Sequence, residues 1–386
     1  MGTIGTSRVP PRPEGGVEVG TAVQPPPKPD PPARKLKIAM LAPPWVPTPP
    51  TGYGGIELVV SFLSEALVRR RHDVTLFAAP ESRSSAILRE VLPQGHPDEM
   101  ERSLHEADHV GRVFDEVDRA AAEGRGFDLI HDHCGYTAVA MANRIDVPVV
   151  HTLHGPFTGD TAAFYSQHGG KAHLVAISDT QRAAAPAGTR IAGVVPNPID
   201  LDEWPYQPDK GDYLLWVGRL NDAKGPHRAI AAARAAGTPL VLAGPVQPGE
   251  QEYFDREVAP HLDDDRVRYV GEVGGDRKRR LFAEARALLM PIRWDEPFGM
   301  VMVEALACGT PVIAFPRGAA PEIVRPGENG CLVEDEDEMA EAVATLGKID
   351  PAACRSSVAE RFGVDRVAAG YEEIYGAIVD RRDRPA

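Results

Sequence analysis

Two glutamates eight residues apart, Glu296 and Glu304 in EPFGMVMVE, carry the spacing in this 386-residue chain that points most directly to chemistry. Eight positions are just over two helical turns, so both carboxylates can project toward one end of a single helix. Pro297 suits the first turn of that helix, and the amides of Phe298, Gly299 and Met300 are then left for ligand hydroxyls. Glu304 lies among Met302, Val303, Ala305 and Leu306, where a carboxylate is costly to bury without hydrogen-bond partners. A pair of vicinal hydroxyls, such as those of a ribose, would satisfy it; two surface glutamates are the plain alternative.

A second stretch, GRLNDAKG (218–225), follows the apolar run DYLLWV. Arg219 and Lys224 flank a loop at the carboxyl end of a strand, where two cations can hold a diphosphate and stabilise charge as it leaves. Two solvated surface cations are the bland reading. A third stretch, TGYGGIE (51–57), joins an apolar run to a helical one. It begins like the dinucleotide fingerprint G-x-G-x-x-G, but Glu57 stands where the third glycine belongs, and no Gly-Lys-Ser/Thr follows to make a phosphate loop of the Walker kind. Gly54 and Gly55 opening a helix still favour an anion through free amides and the helix dipole. A turn without a ligand also fits those residues.

Histidines form the fourth feature. His131 and His133 in HDHC share a strand face, which is compatible with a shared metal, but no second ligand cluster accompanies them and no metal is assigned. His133, at the end of that strand, is a site candidate. His151 reads as a core histidine, and His154, in a loop beside a glycine, as the better site candidate.

These loops need elements to hold them. Short apolar runs at 36–42, 73–79, 128–131, 147–152, 173–177 and 191–195 alternate with helical patterns near 55–71, 103–123, 137–144 and 179–185. In the 103–123 helix, Leu104, Ala107, Val110, Phe114, Val117 and Ala121 form the expected buried stripe. After the proline- and aspartate-rich stretch 196–212 a second series begins. Its strands fall at 213–217, 239–243, 266–270, 286–290, 311–315 and 330–333. Its helices fall near 226–236, 250–261, 276–284, 300–308, 319–324 and 336–347. Strands alternating with helices imply parallel sheets covered on both faces. The expectation is an α/β chain of two doubly wound, Rossmann-like domains facing across a cleft, with ligands beyond the carboxyl ends of the strands. Expected bounds are 35–198 for the first domain and 199–363 for the second. A last helix at 366–379, within about 364–380, returns to the first, with a hinge near 196–200 and 360–364.

Bulk properties narrow the partners. A net charge of −14 argues against nucleic acid, whose binding needs a basic surface, and against adhesion to anionic membranes. No run reaches the ~18–20 apolar residues of a membrane span. Residues 1–34, nine of them proline, read as a disordered tail without a signal-like apolar segment. Cys134, Cys308, Cys331 and Cys354 show no CxxC spacing, so a reducing cytoplasm is expected, with neither a zinc cage nor a disulfide frame.

Together, GGIE, GRLNDAKG and EPFGMVMVEALACGTPVI resemble the family-four retaining glycosyltransferases of GT-B architecture, over about residues 35–380. GGIE and DLIHDHCG are similar to the subgroup containing the avilamycin-pathway enzyme. The resemblance implies a hexosyltransferase-type enzyme using a nucleotide-diphosphate sugar bound by the second domain, with the first domain and His133 on the acceptor side. Gly54 and Gly55 would approach the donor diphosphate from one domain, Arg219 and Lys224 from the other. Glu304 would hold the ribose hydroxyls, Glu296 the hydroxyls of the transferred sugar, and the amides of Phe298 through Val301 would complete the sugar site. Val273, in YVGEV, would lie against the base, and His154 beside the sugar and the reacting bond. In PNPID, Pro198 stands where members commonly carry glycine, which puts the local turn and any role of Asn197 in doubt.

Retention is implied by the same resemblance. A double displacement needs a carboxylate nucleophile, and Glu296 is badly placed for it. Same-face attack follows, with the departing phosphate taking the acceptor's proton and no metal or other cofactor. The acceptor is expected to be a soluble small molecule or an oligosaccharide, since the basic run at 69–71 reads more simply as favourable charge at a helix end. An epimerase of the same fold and a degenerate sugar- or nucleotide-binding protein are the rival readings. A phosphorylase would need a lysine placed for pyridoxal phosphate, and hydride transfer a complete glycine fingerprint.

Overall fold

The computed structural model describes residues 34–382 apart from Tyr53, Met100, Glu101 and Asp264; the tail expected over 1–34 falls almost wholly outside them. Its short apolar runs become thirteen parallel strands in two sheets. The first holds β1 Lys37–Leu41, β2 Asp73–Phe77, β3 Ile87–Arg89, β4 Leu129–Asp132, β5 Val149–Thr152, β6 His173–Ala176 and β7 Ile191–Val194, in the order β3-β2-β1-β4-β5-β6-β7. The second holds β8 Leu214–Val217, β9 Leu240–Ala243, β10 Val267–Tyr269, β11 Ala287–Met290, β12 Val312–Ala314 and β13 Gly330–Leu332, in the order β10-β9-β8-β11-β12-β13. Each order reverses once, between β1 and β4 and between β8 and β11. The connections leave in opposite directions there and open a crevice at the carboxyl ends.

Helices cover both faces. Around the first sheet lie α1 Gly55–Arg69, α2 Ser103–Ala122, α3 Thr137–Met141, α4 Gly159–His168 and α5 Asp179–Ala183. Around the second lie α6 Pro226–Ala235, α7 Gln251–Tyr253, α8 Gly275–Glu284, α9 Met300–Ala307, α10 Ala320–Ile323, α11 Glu336–Val343 and α12 Pro351–Phe362. Three elements exceed the sequence reading. β3 has only three residues, too few to show a period. α4 carries a single buried residue, Tyr165, and so no stripe. α12 starts at Pro351 with Asp350 accepting from the Ala352 amide at 2.9 Å, a local start signal that its mixed composition obscured. The buried face of α2 is also rotated from the expected stripe: His109, Val110, Val113, Phe114, Val117 and Ala120 are buried, whereas Leu104 is 73% exposed. The first turn of α2 supplies none of the buried residues, so its apolar side chain has nothing to pack on.

The last helix, α13 Val364–Arg382, packs on the first sheet: Val367, Ala368, Tyr371, Tyr375 and Val379 share a core with Ile38, Met40, Val60 and Leu63. Its route lies beside the earlier connection, where the Ile199 amide donates to the Phe362 carbonyl at 2.8 Å. Charge fixes the docking. Glu372 takes Arg70 Nε and Nη2 at 2.8 and 2.6 Å, and lies 2.8 Å from His72 Nε2. Burial works against ionising Glu372, yet the hydrogen bonds from Arg70 and His72 outweigh it and hold the carboxyl below its usual range. With Nδ1 accepting from the Leu36 amide, His72 meets Glu372 through its Nε2–H, so Glu372→Ala strands the Arg70 guanidinium and that donor in a poorly hydrated place and is expected to lower stability by about 3 kcal/mol in urea unfolding at pH 7. A depressed carboxyl pKa stabilises above the unfolded value, so the difference from wild type should shrink as pH falls below about 4.3. An equal loss at pH 3.5 and pH 7 would contradict the ion-pair origin.

Candidate active site

In the second half, strand ends present the charges. β8 ends at Val217, and the loop to α6 is tied back by Lys224 N donating to Asn221 Oδ1 at 3.0 Å and Trp216 Nε1 donating to the Lys224 carbonyl at 3.2 Å. Lys224 Nζ is thereby brought to Glu296 Oε2 in a direct ion pair, and lies 4.7 Å above the Trp294 ring. Arg219 Nη1 reaches Gln247 Oε1 at 3.3 Å. The segment after β11 is held by the Ala319 amide donating to the Glu296 carbonyl at 2.9 Å. Gly299 then opens α9 at φ +88°, where a Cβ would meet Met302 Cε at 2.7 Å, so the chain turns into the helix there only with glycine. Phe298 anchors the turn in the core, edge-on to Phe362 with centroids 5.4 Å apart. Met300 and Val301 are half-buried at the first turn of α9, whose amides lack intrahelical acceptors. Val273 is buried beyond β10.

Glu304, on the same helix, is 1% exposed. Lys278 Nζ holds its Oε1 at 2.7 Å, while Oε2 has no hydrogen-bond partner among the described residues. A buried carboxylate oxygen without a hydrogen-bond donor is costly. Lys278 lies in GDRKRR at the start of α8 and was not singled out from sequence, because a run of four cations reads as a solvated face.

Across from these, β4 and β5 carry the histidines. His131 is buried between Thr152 Oγ1, at 2.8 Å from its Nε2, and Tyr375 Oη of α13, at 2.6 Å from its Nδ1. His151 pairs with Asp132 at 2.6 Å and Tyr165 at 3.1 Å. His133 is fully buried, and its Nδ1 lies 2.9 Å from His154 Nε2; its own Nε2 has no partner among the described residues. Burial, then neighbouring imidazoles, push His131 and His133 well below the ordinary histidine range. Burial and then His151 bring His154 to about 3. All three rings are therefore neutral at physiological pH and offer hydrogen bonds instead of charge. Gln181 Nε2 positions the His154 loop by donating to the carbonyls of Leu153 and Gly155 at 3.1 and 2.9 Å.

The α1 loop closes the remaining side. Gly54 caps α1 at φ +155°, where a Cβ would lie 2.6 Å from Pro50 Cβ, while the position of a Cβ on Gly55 is open. Glu57, in the first turn, is 5% exposed, and burial, partly offset by a hydrogen bond to its own backbone, raises its pKa to about 7. Protonated, it does not oppose an anion at the same helix start. The two halves touch here: a Cβ on Gly274 would meet the Thr51 carbonyl at 2.6 Å, and one on Gly52 the Glu272 carboxylate at 2.9 Å. They touch again where Glu322 accepts from the Asp179 and Thr180 amides at 2.9 and 2.7 Å. A cavity of about 350 Å³ is lined by Phe157, Thr158 and Gln181 from one half and Trp294, Glu296 and Pro297 from the other. The structure thus brings Lys224 and Glu296 into one contact and His133 and His154 into another.

Comparison with known proteins agrees with this architecture. A family model described as glycosyl transferases group 1 matches residues 201–357, and one described as glycosyltransferase family 4 matches residues 53–203. A glycogen synthase of Mycobacterium tuberculosis is 30% identical over 286 residues, 64% of this chain and 68% of that protein. AviGT4, a glycosyltransferase involved in avilamycin A biosynthesis, superposes with a TM-score of 0.68 at 29% identity, over 90% of this chain and 98% of its own. Anabaena Alr3699/HepE, solved in complex with UDP-glucose, superposes with a TM-score of 0.66 at 22% identity, over 89% of this chain and 100% of its own. Two parallel sheets with opposed switch points, the matched families and these likenesses converge on one conclusion: the chain is a glycosyltransferase enzyme of GT-B fold and belongs to glycosyltransferase family 4.

Proposed function

We propose that this glycosyltransferase moves a sugar from a nucleoside diphosphate sugar to a hydroxyl of a small soluble or oligosaccharide acceptor, with retention and without a metal. The observation that carries the reading is Glu304: a buried carboxylate with one oxygen held by Lys278 and the other lacking a donor among the described residues. The vicinal hydroxyls of a ribose supply that donor. HepE, solved with UDP-glucose, supports a donor of this class.

Lys224 and Arg219 then face the diphosphate, with the amides at Gly54 and Gly55 on its other side. Before donor arrives, Lys224 is neutralised by Glu296. With donor bound, the lysine turns to the phosphate and Glu296 accepts from hydroxyls of the sugar, so neither charge is ever left alone. The bond from the anomeric carbon to the phosphate oxygen breaks, and the acceptor oxygen bonds that carbon on the same face. The acceptor's proton passes to the departing phosphate. Lys224, Arg219 and the helix start stabilise the charge that develops there, the role a divalent metal would otherwise fill. His154, kept neutral, orients the sugar by hydrogen bonding, and His133 fixes which of its ring nitrogens is free to do so. Four free thiols, three of them buried, fit a reducing cytoplasm.

Lys224→Ala is expected to reduce kcat about 10²–10³-fold with folding unchanged. Glu304→Gln is expected to weaken nucleotide binding about 10–100-fold, read as a smaller thermal shift across UDP, GDP and ADP and their sugars. Unchanged turnover in the first and unchanged shifts in the second would reject these roles, and strong reversible inhibition by a chelator would reject the metal-free mechanism. His154→Gln should lower kcat yet leave the kcat–pH profile the same shape from pH 5 to 9, because a histidine with a pKa near 3 does not titrate there. Disappearance of a limb of that profile in the variant would assign His154 a proton-transfer role instead.

A further inference from the structure

The loop after β3 and the start of α2 carry a group of side chains with no part in glycosyl transfer. His96 lies in the loop, Glu99 in the single 3-10 turn Pro97–Glu99, and His105 in the first turn of α2, a spacing of H-x2-E-x5-H. One nitrogen of each imidazole and one carboxylate oxygen all lie within 4.8 Å of one another. His105 Nε2 pairs directly with Glu99 Oε2, while Glu99 Oε1 accepts from Arg102 Nη1 at 3.0 Å. The His96 and His105 rings stack with centroids 3.7 Å apart and an interplanar angle of 13°. All three residues are half-buried.

Their direct hydrogen bond accounts for Glu99 and His105 but not for His96. Its ring is brought over a second imidazole without a hydrogen bond among the described residues. We propose that His96, Glu99 and His105 form a binding site for a divalent transition ion of the zinc class. Two imidazoles and one carboxylate are the donor set that zinc accepts, with a fourth position left to water. One carboxylate and no carbonyl cage suit magnesium or calcium poorly, and the lack of a thiolate argues against copper(I). Arg102 on the far oxygen orients the carboxylate so that Oε2 stays directed at the imidazoles.

Its place suggests what it does. A Cβ on Gly95 would lie 2.9 Å from the Trp45 carbonyl, and the Trp45 ring meets His105 edge-on with centroids 6.4 Å apart. Trp45 belongs to the stretch between the end of β1 and the start of α1. The ion fastens the loop at 95–99 and α2 to the segment that ends at Gly54, stiffening the approach to the cleft without touching the reacting groups.

The test uses the full chain freed of metal with a chelator and then dialysed. Zn²⁺ titration by calorimetry should show one saturable equivalent, and Co²⁺ should give the intense visible absorption of a four- or five-coordinate nitrogen–oxygen site. His96→Ala and His105→Ala should each weaken Zn²⁺ binding at least about tenfold, with far-UV circular dichroism and glycosyl turnover retained. Absence of a saturable equivalent in the wild type overturns the proposal, as does a weak, hexaaqua-like Co²⁺ spectrum. Undiminished binding in the His96→Ala/His105→Ala double variant also overturns it, by moving the ion elsewhere. Because the Co²⁺ spectrum is read on unaltered protein, it decides the question even if a variant fails to fold.

Discussion

Parallel strands put all their carboxyl ends on one edge of a sheet, and every side chain of the candidate site depends on that arrangement. Arg219 follows β8, Glu296 follows β11, His133 follows β4, and His154 follows β5. In each sheet these are the two strands at the reversal of order or their immediate neighbours. Residues scattered between positions 133 and 296 thus gather because the crossover connections diverge there and leave the strand ends uncovered. The last helix reinforces the arrangement from behind, since Tyr375 and Tyr371 of α13 reach the His131–Thr152 pair inside the first sheet.

The site handles its charges by pairing and its histidines by neutralising them. Lys224 rests against Glu296 and Lys278 against Glu304, so these four charges are balanced in pairs, while Arg219 meets the neutral Gln247. The histidines, crowded at the ends of β4 and β5, cannot all be cationic within 4–5 Å of one another. Burial keeps them neutral, which makes them hydrogen-bonding groups and not charges.

Much of this was legible before any coordinates. Alternating runs and helical stripes located twelve of the thirteen strands, because a buried parallel strand is a short apolar block and is hard to mistake. Pro297 and the apolar run after it located the start of α9 between Glu296 and Glu304, since helix start signals are local. Less legible were β3, α4 and α12, whose burial is too slight or too mixed to leave a period. Leu104 was placed on the buried face of α2 by a stripe that fits the spacing, and only the actual reach of the sheet left it in solvent.

Chain chemistry by itself determined the class of fold, the loops that carry cations and carboxylates, and the break in the dinucleotide fingerprint at Glu57. These follow from periodicity, turn residues and the spacing of charged groups within one element. Tertiary structure alone decided the partners. That Lys278 meets Glu304, that His133 lies against His154, that Glu322 caps α5 from the other half, and that Glu57 is buried enough to titrate near 7 are all relations between separate elements. Such contacts are set by how helices and sheets pack in space, and one sequence read along its length carries no measure of that distance.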